Sequence, residues 1–407
     1  MNHRILGLTV RNFRTLTDVK LPLGPLTVLS GPNAAGKSNV LQSLEFLGDV
    51  ADSGIGPALD KRGGFDVLAF RGGRNPVSRI TVGVEGIWSD HASEEAPDRY
   101  ELSVSRPRRP EGSRERYTTY RRERFVQHPT PGAETSVELT SDTATVDSDL
   151  AGDHGEGTGS VGRMASALHQ GPGSVLPDTA PSARALTSLK AHLSGIRVFE
   201  PDVRRAREPY GISESGRHLE SDAANLADFL RGLKEMEDGE PWEMLLDDVR
   251  TVVPQIRDIH LVTPPDFVSY RTAVELEEEG LRGRTRLTEA SWGTVRILCM
   301  LAILHDPEPP LLTCIEEIDH GIHPHALELM AERLREASER SQYLVTTHSP
   351  VFVNKLSVDE WVPCGRRVDG ASVIPDRMPD HVREVVEESE QEPLGDLWYS
   401  GSVGGAL

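Results

Sequence analysis

The sequence is poor in cysteine, in aromatic residues and in long apolar runs. Only three cysteines occur among 407 residues, and Cys299 and Cys314 lie in apolar stretches. This number and spacing fit neither a disulfide framework nor a zinc site, so we expect buried thiols in a reducing compartment. The absence of any run of about 18 apolar residues argues against a membrane-spanning helix. The N-terminal residues lack the apolar core of a signal peptide, which predicts a cytoplasmic protein without membrane contact.

The sequence also lacks an excess of positive charge. Its formal net charge is −20 at pH 7, so the molecule as a whole repels nucleic acid, and a DNA contact requires a local patch. One basic stretch qualifies, with Tyr117 and Tyr120 among its arginines. These arginines are Arg106, Arg108, Arg109, Arg114, Arg116, Arg121, Arg122 and Arg124. On a hairpin they would form a phosphate-contacting ridge, or they would pair with the protein's own carboxylates; both possibilities stay open.

Hydrophobic periodicity predicts an α/β fold. Short strands open the chain, and alternating stretches near residues 80, 100 and 120 predict an antiparallel sheet. Between Ser291 and Pro350, helical and strand patterns alternate, which is typical of a parallel sheet. We expect one head over 1–407. Its predicted parts are N-terminal strands and a phosphate loop (1–50), an antiparallel insertion with the basic hairpin (76–140), a flexible loop (141–182), a helical subdomain (185–288), a catalytic core (289–364) and a C-terminal tail (365–407).

A phosphate-binding loop follows the apolar run at residues 26–29 and precedes a helical pattern. The loop has the form G-x-x-x-x-G-K-S, in which backbone N–H groups point inward at phosphate oxygens and the next helix adds its positive end. Lys37 would reach the β- and γ-phosphates of ATP, and the Ser38 hydroxyl would bind Mg²⁺. The predicted nucleotide-binding residues here are Gly31, Pro32, Asn33, Ala34, Ala35, Gly36, Lys37, Ser38 and Asn39.

Two further strand ends carry polar side chains that suit the same site. Leu311 to Ile315 is an apolar run that ends in Glu316 and Glu317. We expect Glu316 to hold Mg²⁺ and Glu317 to orient and deprotonate the attacking water. A second apolar run ends at His348, which would hydrogen-bond a γ-phosphate or that water.

A helix start upstream of these strands completes the candidate set. Ser291 stands at an N-cap position before an apolar helix, with Gly293 and Thr294 in the first turn. Such a start presents N–H groups and a hydroxyl to an anion, and would suit a γ-phosphate from another subunit; plain helix capping is the alternative. The histidine-rich segment from Asp319 to His325 reads as a loop and a Pro-started helix rather than a metal site.

Together these motifs resemble the ATPase heads of the SMC/RecF/OLD group, closest to arm-less bacterial AAA-type ATPases of the ABC superfamily. The resemblance rests on a first strand that ends near Asn12 and Arg14, Walker A at Gly31 to Ser38 and Walker B at Ile315 to Glu317. It also rests on a signature motif at Ser291 to Thr294, a D-loop from Asp319 and a switch histidine, His348. It implies an ABC-type head with a mixed or antiparallel N-terminal β lobe and a parallel P-loop core flanked by helices.

The resemblance also implies how the head works. The signature serine of one subunit reads the γ-phosphate bound to its partner, so two heads close face to face on two ATP molecules with Mg²⁺. Asn12 and Arg14 would reach the nucleotide, and Asp319 would line the subunit interface. The sequence departs from the pattern at Trp292, at Glu316 where Asp is commoner, and in having no assignable Q-loop glutamine.

Several functions remain open on the sequence. The first is an ATP-hydrolysing switch in DNA processing or antiphage defence. Only about 55 residues follow Pro350, too few for the nuclease domain of OLD-type relatives, so a nuclease or other effector would be a separate chain. The second is a regulatory ATP-binding module with slow hydrolysis. The third is the nucleotide-binding subunit of a transporter, which the opening strand pair disfavours.

Overall fold

The computed structural model describes residues 4–73, 75–106, 119–130, 132–140, 144–148, 155–157, 166–171, 181–211, 217–237, 239–263, 271–389 and 392–404. Its strands, numbered along the chain, are β1 (Arg4–Arg11), β2 (Val19–Pro22), β3 (Leu26–Ser30), β4 (Arg79–Ile87), β5 (Asp98–Ser105), β6 (Tyr120–Thr130), β7 (Ala133–Thr140), β8 (Ala144–Ser148), β9 (Gly155–Gly157), β10 (Arg197–Phe199), β11 (Tyr210–Gly211), β12 (Ile256–Val262), β13 (Arg271–Glu278), β14 (Thr285–Arg286), β15 (Leu312–Ile315), β16 (Gln342–Thr347), β17 (Trp361–Pro363), β18 (Gly365–Arg366) and β19 (Ser372–Val373).

The helices vary from single turns to 17 residues. They are α1 (Lys37–Ser53), α2 (Ile55–Asp60), α3 (Phe65–Leu68), α4 (Ala167–Gln170), α5 (Pro181–Ser194), α6 (Val203–Ala206), α7 (Leu226–Lys234), α8 (Glu240–Val252), α9 (Trp292–Leu304), α10 (Pro324–Ser338), α11 (Pro350–Val353), α12 (Pro379–Glu388) and α13 (Leu394–Tyr399). In the part of the chain that is described, each helix is too short or too polar to span a lipid bilayer.

A five-stranded parallel sheet forms the central layer, in the order β10-β15-β16-β3-β17. β3, β15 and β16 are buried along their whole length, as expected for a sheet covered on both faces. Successive residues face two different cores. Leu29 and Leu344 pack into one core, and Val28 and Val345 pack into the other. The sheet therefore lies between two hydrophobic cores, which hold its strands and the loops at their ends in place.

An antiparallel sheet lies in the first core, in the order β2-β1-β4-β5-β6-β7-β8-β9. Helices α1, α2, α4 and α5 contribute to the same core, through residues such as Leu44 and Leu189. Gln342 joins the two sheets, because its Nε2 donates to the Ile5 carbonyl and its Oε1 accepts from the Ile5 amide, both at 2.7 Å. Gln342 thereby joins β1 of the N-terminal lobe to the amino-terminal end of β16.

The second core is formed by α7, α8, α9 and α10 with a β12-β13 hairpin. The region 185–288, expected to be helical, therefore also contains strands β10 to β14. β10 belongs to the parallel sheet, and β11 to β14 form a small antiparallel sheet. The strands are short or solvent-facing on one side, so their apolar signal is weak beside that of the helices.

Parts of the predicted flexible loop and the tail are also defined. Most of 141–182 lies outside the described residues, but its described parts add β8, β9 and α4. In the tail, β18 and β19 form a hairpin, and α12 follows. α13 packs beside α11, with Leu394 and Leu397 buried in the second core. The hairpin packs against the phosphate loop, where Ser372 lies beside Gly36.

Candidate functional site

The carboxyl ends of three adjacent strands bring the predicted motifs together. The phosphate loop follows β3, the pair Glu316 and Glu317 follows β15, and His348 follows β16. β15, β16 and β3 are consecutive parallel neighbours, so their loops leave the same edge of the sheet. Ligands of open α/β sheets bind at this edge.

The phosphate loop adopts a tight turn that depends on its two glycines. Gly36 has φ 105° and Ala34 has φ 63°, both in the left-handed region. A Cβ atom on Gly31 would lie 2.3 Å from the carbonyl oxygen of Cys364. α1 begins directly afterwards, with no side chain capping its first turn. Its free N–H groups and helix dipole are therefore available to a phosphate group.

Lys37 lies inside this turn. Its ammonium donates to the carbonyl oxygens of Gly31 at 2.8 Å and Pro32 at 3.2 Å, and the residue is only 5% exposed. Burial lowers the pKa of Lys37, and the nearby acidic groups oppose that shift. Among the described residues, the hydrogen-bond acceptors of this buried cation are neutral carbonyls, which phosphate oxygens can replace.

Ser38 and Glu316 meet at the start of α1. The Ser38 hydroxyl donates to Glu316 Oε1 in a short contact. Burial raises the pKa of Glu316, and the Ser38 hydrogen bond opposes that rise. A hydroxyl and a carboxylate are hard oxygen ligands, the donors that Mg²⁺ prefers. The pair therefore fits the magnesium site that the sequence predicts.

Glu317 occupies a strained position beside the two histidines of this edge. Its φ is 49°, unusual for a residue with a side chain, and its amide donates to Thr346 Oγ1 at 2.8 Å. The carboxylate lies 3.4 Å from His320 Nδ1 and 4.0 Å from His348 Nε2. Burial lowers the pKa of His348, and Lys37 lowers it further, while Asp319 and Glu317 oppose the shift; the net effect favours the neutral imidazole.

Asp319 is engaged within its own chain. Its Oδ1 accepts from Thr347 Oγ1 at 2.6 Å and from the His348 amide at 3.1 Å. The carboxylate thereby orients the end of β16 and the switch histidine. Asp319 therefore acts on the site through the orientation of His348, and its location at a subunit interface stays a prediction.

Ser291 caps α9, as its sequence position predicts. Its Oγ accepts from the Thr294 amide at 3.1 Å and lies 2.8 Å from Thr294 Oγ1. The next side chain, Trp292, is 39% exposed and packs on His320 with ring centroids 5.1 Å apart. A Cβ on Gly321 would lie 1.9 Å from the Trp292 ring. The signature segment and the loop after β15 therefore form one surface.

Asn12 and Arg14 have different positions relative to the phosphate loop. A cavity of about 470 Å³ lies beside the phosphate loop, and Arg14 is one of the residues that line it. Asn12 is not among those residues, and its side chain donates to the Arg79 carbonyl at 3.2 Å. The other residues that line the cavity include Thr15, Asn39, Phe70, Arg71, Arg366 and Asp369.

Three hydroxyl and amide side chains connect that cavity to the phosphate loop. Asn39 Nδ2 donates to Thr15 Oγ1 at 2.6 Å, and the Ser372 hydroxyl donates to the same oxygen at 2.7 Å. A Cβ on Gly36 would lie 2.1 Å from Ser372 Oγ. The C-terminal hairpin thus forms a wall of the site, which no local sequence pattern indicates.

Two further residues of this edge were not predicted. Glu200 follows β10, the neighbour of β15, and its charge contributes to the raised pKa of Glu316. Arg296 is buried in α9 and donates to the carbonyl oxygens of Glu316 and Glu317 at 3.1 and 3.0 Å. The sequence signals were slight: an acid before a proline at a strand end, and one arginine ahead of a wholly apolar run.

Within the described residues, the arginines of the basic stretch do not all lie on one face, and its predicted phosphate-contacting ridge stays a prediction. Arg121 points into the core at 3% exposure, because alternate residues of β6 face the interior and its arginines do not all share one face. Arg106 pairs with Asp66 and Arg122 with Glu138. Residues 107–118, with four of the arginines and Tyr117, lie outside the described residues.

Solved structures of SMC heads share this fold. An SMC head bound to the C-terminal winged-helix domain of ScpA aligns with a TM-score of 0.53 and 17% identity, over 91% of this chain and 97% of that one. The SMC head from Pyrococcus furiosus with an extended coiled coil, bound to the C-terminal domain of ScpA, gives 0.51 and 15%, over 95% and 100%. The predicted α/β head with an antiparallel N-terminal lobe is thereby confirmed.

Two family profiles match the segments that carry the site. Residues 4–65 match a family described as "AAA ATPase domain", and residues 180–354 match one described as "AAA domain, putative AbiEii toxin, Type IV TA system". Over these two segments, which contain the phosphate loop and the other site motifs, the chain is similar to AAA-type ATPase domains. A 44-residue stretch of the chain is also 57% identical to an OLD nuclease of Thermus scotoductus, a stretch that covers 11% of the chain and 8% of that nuclease.

Proposed function

We propose that the protein hydrolyses Mg²⁺-ATP and that two copies close face to face on two nucleotides as a switch. The observation that carries the proposal is the convergence of Lys37, the pair Glu316 and Glu317, and His348 at one sheet edge. Each of these groups follows a different buried parallel strand. Rigid strand ends position reacting groups more firmly than free loops.

Each residue of this edge has a distinct task. Lys37 and the N–H groups of the phosphate loop hold the β- and γ-phosphates, and stabilise the charge that develops on the transferred group. Glu317 accepts a proton from the attacking water. The neutral imidazole of His348, 4.0 Å from the Glu317 carboxylate, hydrogen-bonds the γ-phosphate or the water.

Ser38 and Glu316 would hold Mg²⁺, because their oxygens are already in contact. When bound, the ion neutralises charge on the β- and γ-phosphate oxygens. The exposed carboxylate of Glu200 lies at the same edge, where it would contribute through water.

The second half of each site would come from a partner subunit. The Ser291 hydroxyl is exposed at the start of a 13-residue helix, and the adjoining Trp292 ring is 39% exposed. A helix start with a hydroxyl is a suitable partner for a γ-phosphate. The likeness to SMC heads supports an arrangement in which this surface faces the phosphate loop of the second copy.

Hydrolysis is tested with Lys37→Ala and Glu317→Gln. We expect Lys37→Ala to weaken ATP binding by about 50-fold or more, because it removes a buried charge-assisted contact. Glu317→Gln should bind ATP like wild type but lower kcat by about 100-fold or more, because it removes the proton acceptor. Phosphate release and fluorescent-nucleotide binding measure both effects. Equal kcat in Glu317→Gln and wild type would contradict the proposed mechanism.

We further propose that the switch serves DNA processing or antiphage defence through a separate effector, such as a nuclease. The match to an OLD nuclease is confined to 44 residues, and supports kinship of the ATPase part only. Plating of phages on cells that carry the chain with its neighbouring genes tests this role. Protection should be lost with Lys37→Ala. Protection that is lost with Lys37→Ala but retained with Glu317→Gln would favour a regulatory module in which ATP binding suffices.

A further inference from the structure

Arg296 links the signature helix to the backbone of Glu316 and Glu317 in its own chain. The residue lies in α9, five positions after Ser291, and is only 3% exposed. Its guanidinium donates to three carbonyl oxygens, those of Pro201 at 2.9 Å, Glu316 at 3.1 Å and Glu317 at 3.0 Å. Pro201 follows β10, and the two glutamates follow β15, so one side chain gathers two strand ends at the site.

The contact with Glu317 matters because that residue has a strained backbone. A non-glycine residue at φ 49° persists only where its surroundings hold it. The Glu317 amide is held by Thr346 Oγ1, and its carbonyl accepts from Arg296 and from the His320 amide, both at 3.0 Å. Removal of the arginine would release the one of these three restraints that comes from the signature helix, and the carboxylate that faces the attacking water would be held less firmly.

A buried guanidinium needs strong partners. Burial lowers the pKa of Arg296, while the charges of Glu317, Glu200 and Asp319 oppose that shift. Its desolvation is offset by three carbonyl hydrogen bonds rather than by a paired carboxylate. Packing of α9 alone would be served by an apolar residue, like its neighbours Ile297 and Leu298. The buried charge therefore has a positional role at the strand ends.

A second arginine extends the same unit to the signature segment. Arg207 donates to the carbonyl oxygens of Thr288 at 3.5 Å and Ala290 at 3.4 Å, directly before Ser291. Residues 200–207, the start of α9 and the backbone of Glu317 are thus connected by hydrogen bonds. A displacement of Ser291 along the helix axis would reach Glu317 through Arg296.

We infer that Arg296 is a positioning residue that makes hydrolysis in one subunit depend on where its own signature helix sits. The inference rests on the proposed function, since the signature helix would be placed by the ATP of the partner subunit. Under this inference, the Arg296 guanidinium couples the signature segment, which contacts the nucleotide of the partner subunit, to the site that hydrolyses ATP in the same subunit as Arg296.

Arg340 provides a matched control at the other end of the same helix. Its guanidinium donates to the carbonyl oxygens of Leu304 at 3.3 Å and Asp306 at 3.2 Å, at the C-terminus of α9. Arg340→Met therefore removes an arginine that holds α9 but contacts no residue of the site. The effect of Arg340→Met on the melting temperature measures the consequence of weaker anchoring of α9 without a change at the site.

The test compares wild type, Arg296→Met, Arg296→Lys and Arg340→Met for melting temperature, ATP Kd and kcat. We expect Arg296→Met to lower kcat about 100-fold, because a displacement of about 1 Å in a reacting group has an effect of that size. Its ATP Kd should stay within about threefold of wild type. Arg296→Lys, which keeps a donor, should recover part of the kcat, and Arg340→Met should keep kcat within about threefold even where it lowers the melting temperature.

The outcomes separate the inference from the function on which it rests. If wild type hydrolyses ATP and Arg296→Met has the same kcat, the inference is overturned and the proposed function is retained. Parallel losses of kcat, ATP affinity and melting temperature in Arg296→Met overturn it too, because they indicate a structural role only. If Arg296→Met fails to fold, Arg296→Lys decides: a kcat equal to wild type overturns the inference. Wild type without ATPase activity overturns both.

Discussion

Arg14 illustrates at the residue scale how charge is distributed around the site. The protein has a net charge of −20, yet three arginines, Arg14, Arg71 and Arg366, line the cavity beside the phosphate loop. Burial lowers the pKa of Arg14, and the neighbouring arginines lower it further. Since Asn39 in the first turn of α1 also lines the cavity, the ribose and base of a nucleotide would extend into it from the phosphates.

Arg14→Ala tests this placement. We expect ATP affinity to fall about 5- to 10-fold, because one partly buried charge-assisted contact is lost, while kcat at saturating ATP stays within about twofold. Binding of a fluorescent ATP analogue measures the change. Arg11→Ala is the control, since Arg11 pairs with Asp18 on the surface. Equal affinities in the two variants would refute a role for Arg14 in nucleotide binding.

The sequence was most informative about residues in contiguous motifs. Lys37, Glu316 and Glu317 stand next to apolar strands, so their place at a strand end follows from local pattern. Glu200 and Arg296 were missed, because their roles arise from sheet order and from burial. The arginine ridge stays a prediction, but composition alone did not show the alternation along β6 that places Arg121 in the core.

At the scale of elements, β6 directs two charged side chains, Arg121 and Glu123, into the interior of its sheet. Glu123 is fully buried, and its Oε2 accepts from the Ala167 amide at 3.0 Å. Burial raises the pKa of Glu123 to about 7, although Arg121 opposes the shift. The folded state therefore favours the protonated carboxyl, and this preference makes stability depend on pH.

Stability should fall as the pH rises from about 4.5 to about 7. The Glu123 carboxyl has a pKa of about 7 in the folded state, against 4.5 in the unfolded state. Its contribution to stability is therefore fully present below pH 4.5 and is lost as the pH rises through about 7. Glu123→Gln cannot ionise, so it should gain about 1 to 3 kcal/mol relative to wild type between pH 5 and pH 7.5. Urea unfolding at both pH values measures the difference. The surface variant Glu138→Gln should show no such change, and a pH-independent difference for Glu123→Gln would contradict the account.

Element prediction from the sequence depended on length and burial. β3 and β15 are wholly buried and mostly apolar, and α1 is 17 residues long, so their patterns located them. β10 has only three residues, too few for a period to be read, although it places Glu200 beside β15. The packing of the C-terminal hairpin on Gly31 and Gly36 joins segments more than 300 residues apart, and no local pattern reports such a contact.

At the scale of the whole molecule, the parallel sheet separates two cores and presents the site along one edge. The phosphate loop and the carboxylates lie on this edge, and Ser291 and Trp292 lie beside the loop that follows β15, where Trp292 packs on His320. The account therefore requires that two chains meet, each supplying Ser291 to the nucleotide held by Lys37 of the other.

Light scattering of Glu317→Gln with and without saturating Mg²⁺-ATP tests this requirement most directly. The account predicts a mass of twice the 44.7 kDa of one chain with ATP, and a single chain without it. Ser291→Asp in the same background retains a helix cap but places a negative charge against the γ-phosphate, so it should bind ATP and remain monomeric. A Glu317→Gln protein that binds ATP yet stays monomeric, or a Ser291→Asp variant that still dimerises, would contradict the account.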